Sequence, residues 1–461
     1  MVKRILILIL CAAQLIVLSA KAEKLTAEQI ERLSQQIVFA KSDVKYEALK
    51  KFEARDNLDV VAGLILGFRF RQNDQAILNL IKKLTGSPIE NWRDALLWQE
   101  DHPEIKPHPS YQKLKLTIYK RLDPRFLRFL GGDKSLPENL KIRLEEIVWG
   151  GVPADGIPSL DAPDLIAATN ATYMVDSDLV FGVEINGDVR AYPLRIMGWH
   201  EMLNDTIGGV PVALAYCTLC GAGILFETQI EGRKKPLIFG SSGLLYRSNK
   251  LMFDRGTGSL WNQFTGQPIS GPLVNKGITL KIRPITITSW GKWQALNPTT
   301  KILSVETGHA RDYGSGVVYK DYFSSPDLMF PVRVQNNNQN LKRKDYVFGI
   351  RDFGASKAWP VSAFANQSVI NDQIGTKNIV LIGDAQTRTV RAYERGALTF
   401  NQLSKDGILS NDVGLWKITE SALIGPNKQK RPRVPGQISY WFAWDSYLGV
   451  ESNLYKKDAV K

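Results

Sequence analysis

Residues 180–193 read VFGVEINGDVRAYP and residues 347–360 read VFGIRDFGASKAWP, and this pair of lines, 167 positions apart, decides the fold. Within the first, the runs Leu179–Ile185 and Asp188–Tyr192 flank Asn186-Gly187, the dipeptide that best tolerates the positive φ angles of a tight hairpin turn. The match continues beyond the hairpin. Asn204-Asp205 falls on Asn371-Asp372, Ile207-Gly208 on Ile374-Gly375, Leu214 on Leu381 and Glu227 on Glu394, twelve identities in 48 ungapped positions. At smaller offsets Leu260-Trp261 matches Leu415-Trp416, and Trp290-x-x-Trp293 matches Trp441-x-x-Trp444. Two copies of one β-rich unit, about 176–303 and 343–454, are therefore expected to pack about a pseudo-twofold axis around a shared core. The recurring tryptophans read as core.

Before residue 149 the pattern changes from period two to helical spacing. Thr26 and Gln29 form a capping-box pair ahead of Ile30, Leu33, Ile37 and Val38. Further helices are predicted over Val44–Ala54, Val60–Phe70, Gln75–Leu84, Trp92–Gln99, Tyr111–Leu122 and Pro124–Leu130. His102 and His108 lie in a proline-rich connector and read as exposed loop residues. The predicted fold class is α+β. An all-α segment (23–148) precedes a β-rich module with a Cys-Cys-His site (149–303), a connector (304–342) and a second β-rich module (343–461).

The first residues carry an address. Lys3 and Arg4 precede an apolar run from Ile5 to Ala20, and Ala20-Lys21-Ala22 offers small residues to a signal peptidase, so residues 1–22 read as a cleaved secretory signal, with an uncleaved anchor as the alternative. Cys11 leaves with it. No later apolar run approaches eighteen residues, so no transmembrane segment is expected after cleavage. The mature chain is expected outside the cytoplasm, periplasmic or secreted, where a disulfide is permitted.

Composition narrows the chemistry. The net charge of +13 is dispersed, its densest runs being Lys342-Arg343-Lys344 and Lys428 to Arg433, and no basic stripe of the kind that binds nucleic acid is present. Three cysteines and four histidines exclude a disulfide-framed scaffold or a large metal cluster. In the repeat, His200, Cys217 and Cys220 of the first copy face Gln367, Asp384 and Thr387 of the second. Residues present in both copies serve the fold; those present in one are candidates for function.

Tyr216-Cys217-Thr218-Leu219-Cys220-Gly221 follows a predicted strand, and a glycine after the second cysteine lets both sulfurs point at one ion. With His200 as third ligand, two soft sulfurs and an imidazole suit copper first and zinc second. Asp205 is the candidate for a carboxylate supporting that ligand set, and Asp254, Arg255 and Trp261 for lining a pocket. His309 reads as part of a turn-rich connector. Competing readings of the same cysteines are a structural disulfide in a non-enzymatic binding or scaffold module, and a thioredoxin-like redox pair, although no βαβ setting is evident. The Phe239–Tyr246 stretch resembles a phosphate loop only superficially and reads as a hairpin or bulge.

Several motifs together carry a resemblance: Ala191-Tyr192-Pro193-Leu194, Trp199-His200-Glu201, Asn204-Asp205-Thr206-Ile207-Gly208-Gly209, Tyr216-Cys217-x-Leu219-Cys220 and Phe239-Gly240-x-Ser242-Gly243-Leu244-Leu245-Tyr246. With Ser259-Leu260-Trp261-x-Gln263-x-Thr265-Gly266 and the Trp441-Phe442-Ala443-Trp444 ending, the sequence resembles, over most of 150–455, a widespread bacterial and archaeal family of unknown function. The resemblance implies exported proteins with this His and Cys set, and brings no substrate or reaction. That family usually has proline where Thr218 stands. The expectation is thus extracytoplasmic binding of copper or another soft metal, with oxidoreductase activity, metal-dependent or thiol-based, as its enzymatic form. A protein partner would dock on the helical segment.

Overall fold

A computed structural model describes residues 24–71, 74–130, 140–334, 341–411 and 414–456. The expected signal segment and Cys11 lie outside them. A helical region over residues 27–129 is followed by a β-rich region of several sheets. Two compact units result: one takes residues up to Asn91 with Ile105–Leu114, the other Trp92–Glu104 and everything from Lys115 onward.

In the first unit, Thr26 and Gln29 close the capping box that starts Ala27–Phe39, and Ile30, Leu33, Ile37 and Val38 are buried as their spacing requires. Ser42–Arg55 ends on Asp56 in the left-handed region at φ 47°. Asp74 caps Gln75–Thr85 by accepting from the Ala76 amide at 3.0 Å, and Gly86 at φ 66° stops it. His108 is half-buried rather than exposed. Its Nδ1 lies 2.8 Å from Ser110 Oγ, a local side-chain bond that the proline context does not reveal.

The second unit begins with Trp92–Asp101, on whose end His102 stacks against Trp98 at 4.3 Å and is likewise half-buried. Its β-rich part contains two stretches with the same order of elements. In the first, Leu179–Ile185 pairs antiparallel with Asp188–Pro193 across Asn186 (φ 52°) and Gly187 (φ 81°). In the second, Tyr346–Asp352 pairs with Ala355–Pro360 across Phe353 (φ 54°) and Gly354 (φ 74°). Registers coincide: Phe181 faces Tyr192 as Phe348 faces Trp359, and Gly182 faces Ala191 as Gly349 faces Ala358. Three further antiparallel strands follow in each, Met202–Ile207, Val210–Cys217 and Ala222–Glu227, then Val369–Ile374, Lys377–Asp384 and Thr389–Glu394.

Each hairpin is completed in the same way. Thr286–Ser289 and Gln437–Tyr440 pair antiparallel with the first hairpin strands, and Lys301–Leu303 and Asn453–Leu454 pair parallel with the second. The helices Trp290–Leu296 and Trp441–Leu448 follow at once, and each drops a tryptophan onto the glycine of the facing strand. A Cβ at Gly182 would sit 2.3 Å from the Trp293 ring, and one at Gly349 would sit 1.9 Å from Trp444. Only glycine admits the ring at either place. Phe181, Tyr192, Leu203 and Leu214 share a single apolar core with Phe348, Trp359, Ile370 and Leu381. Phe239–Tyr246 pairs with Asn249–Asp254 with a register shift at Lys250 and Met252, a hairpin with a bulge.

Candidate functional site

The helix Leu194–His200 ends where Glu201 enters the left-handed region at φ 57°, its amide donating to Met197 O at 2.7 Å. This turn sends the chain into the Met202–Ile207 strand and leaves the side chains of His200 and Glu201 buried. His200 Nδ1 lies 2.8 Å from the Pro158 carbonyl and Nε2 lies 2.6 Å from the Tyr313 hydroxyl. A carbonyl can only accept, so Nδ1 carries the proton and Nε2 accepts from Tyr313. Burial, aided by the positive field of His309 and Arg311 and opposed by the Pro158 bond, pushes His200 down to about 4.

Cys217 and Cys220 lie at the connection between Val210–Cys217 and Ala222–Glu227, with Gly221 at φ 60° completing the turn. They are joined in a disulfide, and both are buried. Neighbouring chain holds the loop from two directions: Tyr322 donates its hydroxyl to Leu219 O at 2.7 Å, and the Tyr440 amide donates to Cys220 O at 2.8 Å.

Between the cysteines, the fully buried Thr218 donates its hydroxyl to Glu201 Oε1 at 2.8 Å. Lys250, also buried, donates to the Glu201 backbone carbonyl at 3.0 Å, with its Nζ 3.4 Å from Oε2. Burial pulls the Lys250 ammonium down from its ordinary value, and the Glu201 carboxylate opposes that shift. Glu201 and Thr218 are residues that reading for metal donors passed over. The repeat itself carried the signal, since Ser368 and Ala385 stand at the corresponding places.

The remaining sequence candidates fall elsewhere. Asp205 accepts from Tyr192 Oη at 2.9 Å and from Arg190 at 2.7 Å; in the second stretch Asp372 accepts from Trp359 Nε1 at 2.7 Å and pairs with Lys357. Asp205 thus ties its own strand to the preceding hairpin. Asp254 accepts from Trp261 Nε1 at 3.0 Å and from the Thr257 amide, entirely inside the protein. Arg255 bonds to Asp155, Ser159 and Asp161. Among the described residues, no three His, Cys, Asp or Glu side chains are grouped so as to hold a metal ion. The structure therefore brings Cys217 and Cys220 together but gives His200 other partners, Pro158 and Tyr313.

A cleft of about 520 Å³ opens beside the disulfide loop, lined by Arg195 and Tyr216 from the first stretch and by Lys344, Tyr346, Arg388 and Tyr440 from the second. Arg388 donates to the Tyr346 hydroxyl at 2.8 Å while lying 4.2 Å over its ring. No helix among the described residues is long and apolar enough to cross a membrane.

Residues 154–450 match the model of a family described as protein of unknown function (DUF3179). No curated protein and no solved structure matches the chain.

Proposed function

The chain belongs to the DUF3179 family, and from that premise we propose that it is an exported thiol–disulfide redox protein whose couple is Cys217–Cys220. The observation that carries this reading is the buried Glu201–Lys250 pair, joined through Thr218 to the loop between the cysteines. Burying two charges costs several kcal/mol per ion before their attraction returns part of it. As a staple alone, a disulfide closing so short a loop contributes only about 2 kcal/mol by chain entropy. A buried carboxylate bonded to the loop that carries the cysteines has a use that a staple lacks: it can exchange a proton that the thiols gain or lose. Export rests on Lys3, Arg4 and the apolar run behind them, and we take the two stretches as copies of one unit, the second without the couple.

In the reductive direction, a thiolate of an incoming protein or small-molecule dithiol attacks one cysteine sulfur. This forms a mixed disulfide and releases the other cysteine as a thiolate. The partner's second thiolate then displaces the bonded sulfur. Two electrons pass to the cysteines, which take up two protons, and the partner leaves as a disulfide. We assign to Glu201, through the hydroxyl of Thr218, the exchange of one of those protons. Tyr216, next to Cys217, and Tyr440, whose amide donates to Cys220 O, line the cleft, which we take as the side from which the partner approaches the buried cysteines. In the helical unit, exposed Phe39, Val44 and Tyr46 are the surface we assign to a docking partner.

Cys217→Ser and Cys220→Ser variants of the mature chain, each exposed to glutathione disulfide, test the couple. One variant should form a mixed disulfide promptly, and the reaction should slow when Glu201→Gln is added. If neither sulfur reacts in the folded chain, the disulfide is a structural staple in a non-enzymatic binding module. The soft-metal reading requires the disulfide reduced and His200 released from Tyr313. Stoichiometric copper(I) uptake by the reduced chain, lost in Cys217→Ser and His200→Ala, supports it, and no uptake removes it for copper and, with the same titration, for zinc.

A further inference from the structure

His200 and His309 stand more than a hundred residues apart in the chain, yet their rings meet with centroids 5.2 Å apart at an interplanar angle of 47°. Two imidazoles bound to one ion at about 2.0–2.1 Å per nitrogen place their centroids about 4.5 Å apart at the right angle of a tetragonal site and about 5 Å apart at a tetrahedral angle. The His200 ring is already fixed as a ligand's would be: Nδ1–H is spent on the Pro158 carbonyl, which leaves the Nε2 lone pair as the donor. Toward that lone pair points the Tyr313 hydroxyl, 2.6 Å away, itself 2.6 Å from Thr307 Oγ1. His200 is fully buried and His309 is exposed, so the pair runs from a closed floor to an open rim. Trp199 Nε1 donates to Asp312 O at 2.8 Å, which ties the segment carrying Tyr313 to the helix carrying His200. The nearby cation Arg311 is drawn over the Trp199 ring, 5.8 Å from its centroid.

We infer that His200, His309 and Tyr313 form a binding site for a divalent transition-metal ion, copper(II) foremost, that is separate from the cysteines. Two imidazoles and a phenol suit copper(II), which stands highest in the affinity order of the first-row ions. On binding, the ion takes the place of the Tyr313 hydroxyl proton at His200 Nε2, that proton passes to solvent and leaves a phenolate, and water fills the remaining positions from the rim. The site needs no thiolate and so holds whether or not the cysteines are a redox couple.

The test is copper(II) titration of the oxidised mature chain in competition with a chelator of known affinity, with zinc(II) as a second probe. One equivalent should bind with two nitrogen donors visible by electron paramagnetic resonance. His309→Ala, at an exposed position that leaves the core intact, should weaken binding by at least about 10–100-fold. His200→Gln, which installs the residue of the second stretch, should do the same. Tyr313→Phe should remove a phenolate-to-copper absorption band. The Cys217→Ser, Cys220→Ser double variant should bind as the parent does. Binding that survives His309→Ala, or that is lost with the cysteines, overturns the site, and absence of the band in the parent removes Tyr313 from it.

Discussion

Lys250 holds Glu201 twice, donating to its backbone carbonyl at 3.0 Å and standing 3.4 Å from its carboxylate, while Thr218 of the disulfide loop donates to the other carboxylate oxygen. Removing one member of a buried pair leaves the other charge uncompensated, at a cost of about 3–5 kcal/mol. Glu201→Gln should therefore lower unfolding free energy by that order in urea titration. Adding Lys250→Met should recover most of the stability without recovering the rate of thiol exchange. Recovery of both would make the pair a packing feature with no part in the chemistry.

Asn204 donates to Phe239 O and accepts from the Phe239 amide, each at 2.8 Å, and Asn371 repeats the exchange with Phe400 at 2.6 and 3.0 Å. One side-chain amide thus substitutes for a missing strand neighbour at the same place in both stretches. Asn204→Ala and Asn371→Ala should each cost about 1–3 kcal/mol by stranding a backbone donor and acceptor. A larger loss is expected for Asn204→Ala, whose amide also donates to Asp161 at 2.7 Å; a neutral Asn371→Ala in denaturant titration would break the equivalence.

Glu420 joins the two stretches. It pairs with Arg391 and Arg433 and accepts from Thr286 Oγ1 at 2.8 Å. Burial works against its ionisation, yet the two guanidinium groups outweigh that and hold it down at about 2. A carboxyl depressed in the folded state contributes stability that is present above its unfolded value near 4.5 and lost as pH falls toward 2. Glu420→Gln should destabilise at neutral pH by about 3–5 kcal/mol and remove part of the acid sensitivity between pH 4.5 and 2, as read from urea midpoints against pH.

His200 titrates in a different window. Because burial lowers its value to about 4, the folded chain resists a proton that the unfolded chain accepts near 6.5. Its stability contribution is complete above pH 6.5 and declines as pH falls toward 4. In His200→Gln the dependence over that window should flatten while the Glu420 window below it stays unchanged. An unaltered slope between pH 6.5 and 4 would mean that His200 meets solvent in the folded state.

Helix limits and the hairpin across Asn186-Gly187 were legible because they rest on local periodicity and turn chemistry, and the sequence match 167 positions apart keeps its spacing. The capping box at Thr26 and the tryptophans over Gly182 and Gly349 are local or duplicated signals of that kind. The site was legible only in part. Cys217 and Cys220 announce themselves by spacing, but Glu201 and Lys250 lie 49 residues apart and meet only when the Asn249–Asp254 hairpin strand folds back. His309, in a connector without periodicity, gives no sign that it comes to rest against His200. Asp254 and Arg255, adjacent in sequence, diverge because one turns inward to Trp261 and the other outward to Asp161, which proximity in the chain cannot express.

The reduction potential of Cys217–Cys220 in the folded chain, read by alkylation and mass shift across glutathione and dithiothreitol redox buffers, tests the central claim most directly. A working couple should titrate reversibly as a two-electron pair between about −120 and −270 mV, the span of known dithiol oxidoreductases. A potential below about −300 mV, where structural disulfides of secreted proteins lie, or reduction only on unfolding, would contradict it.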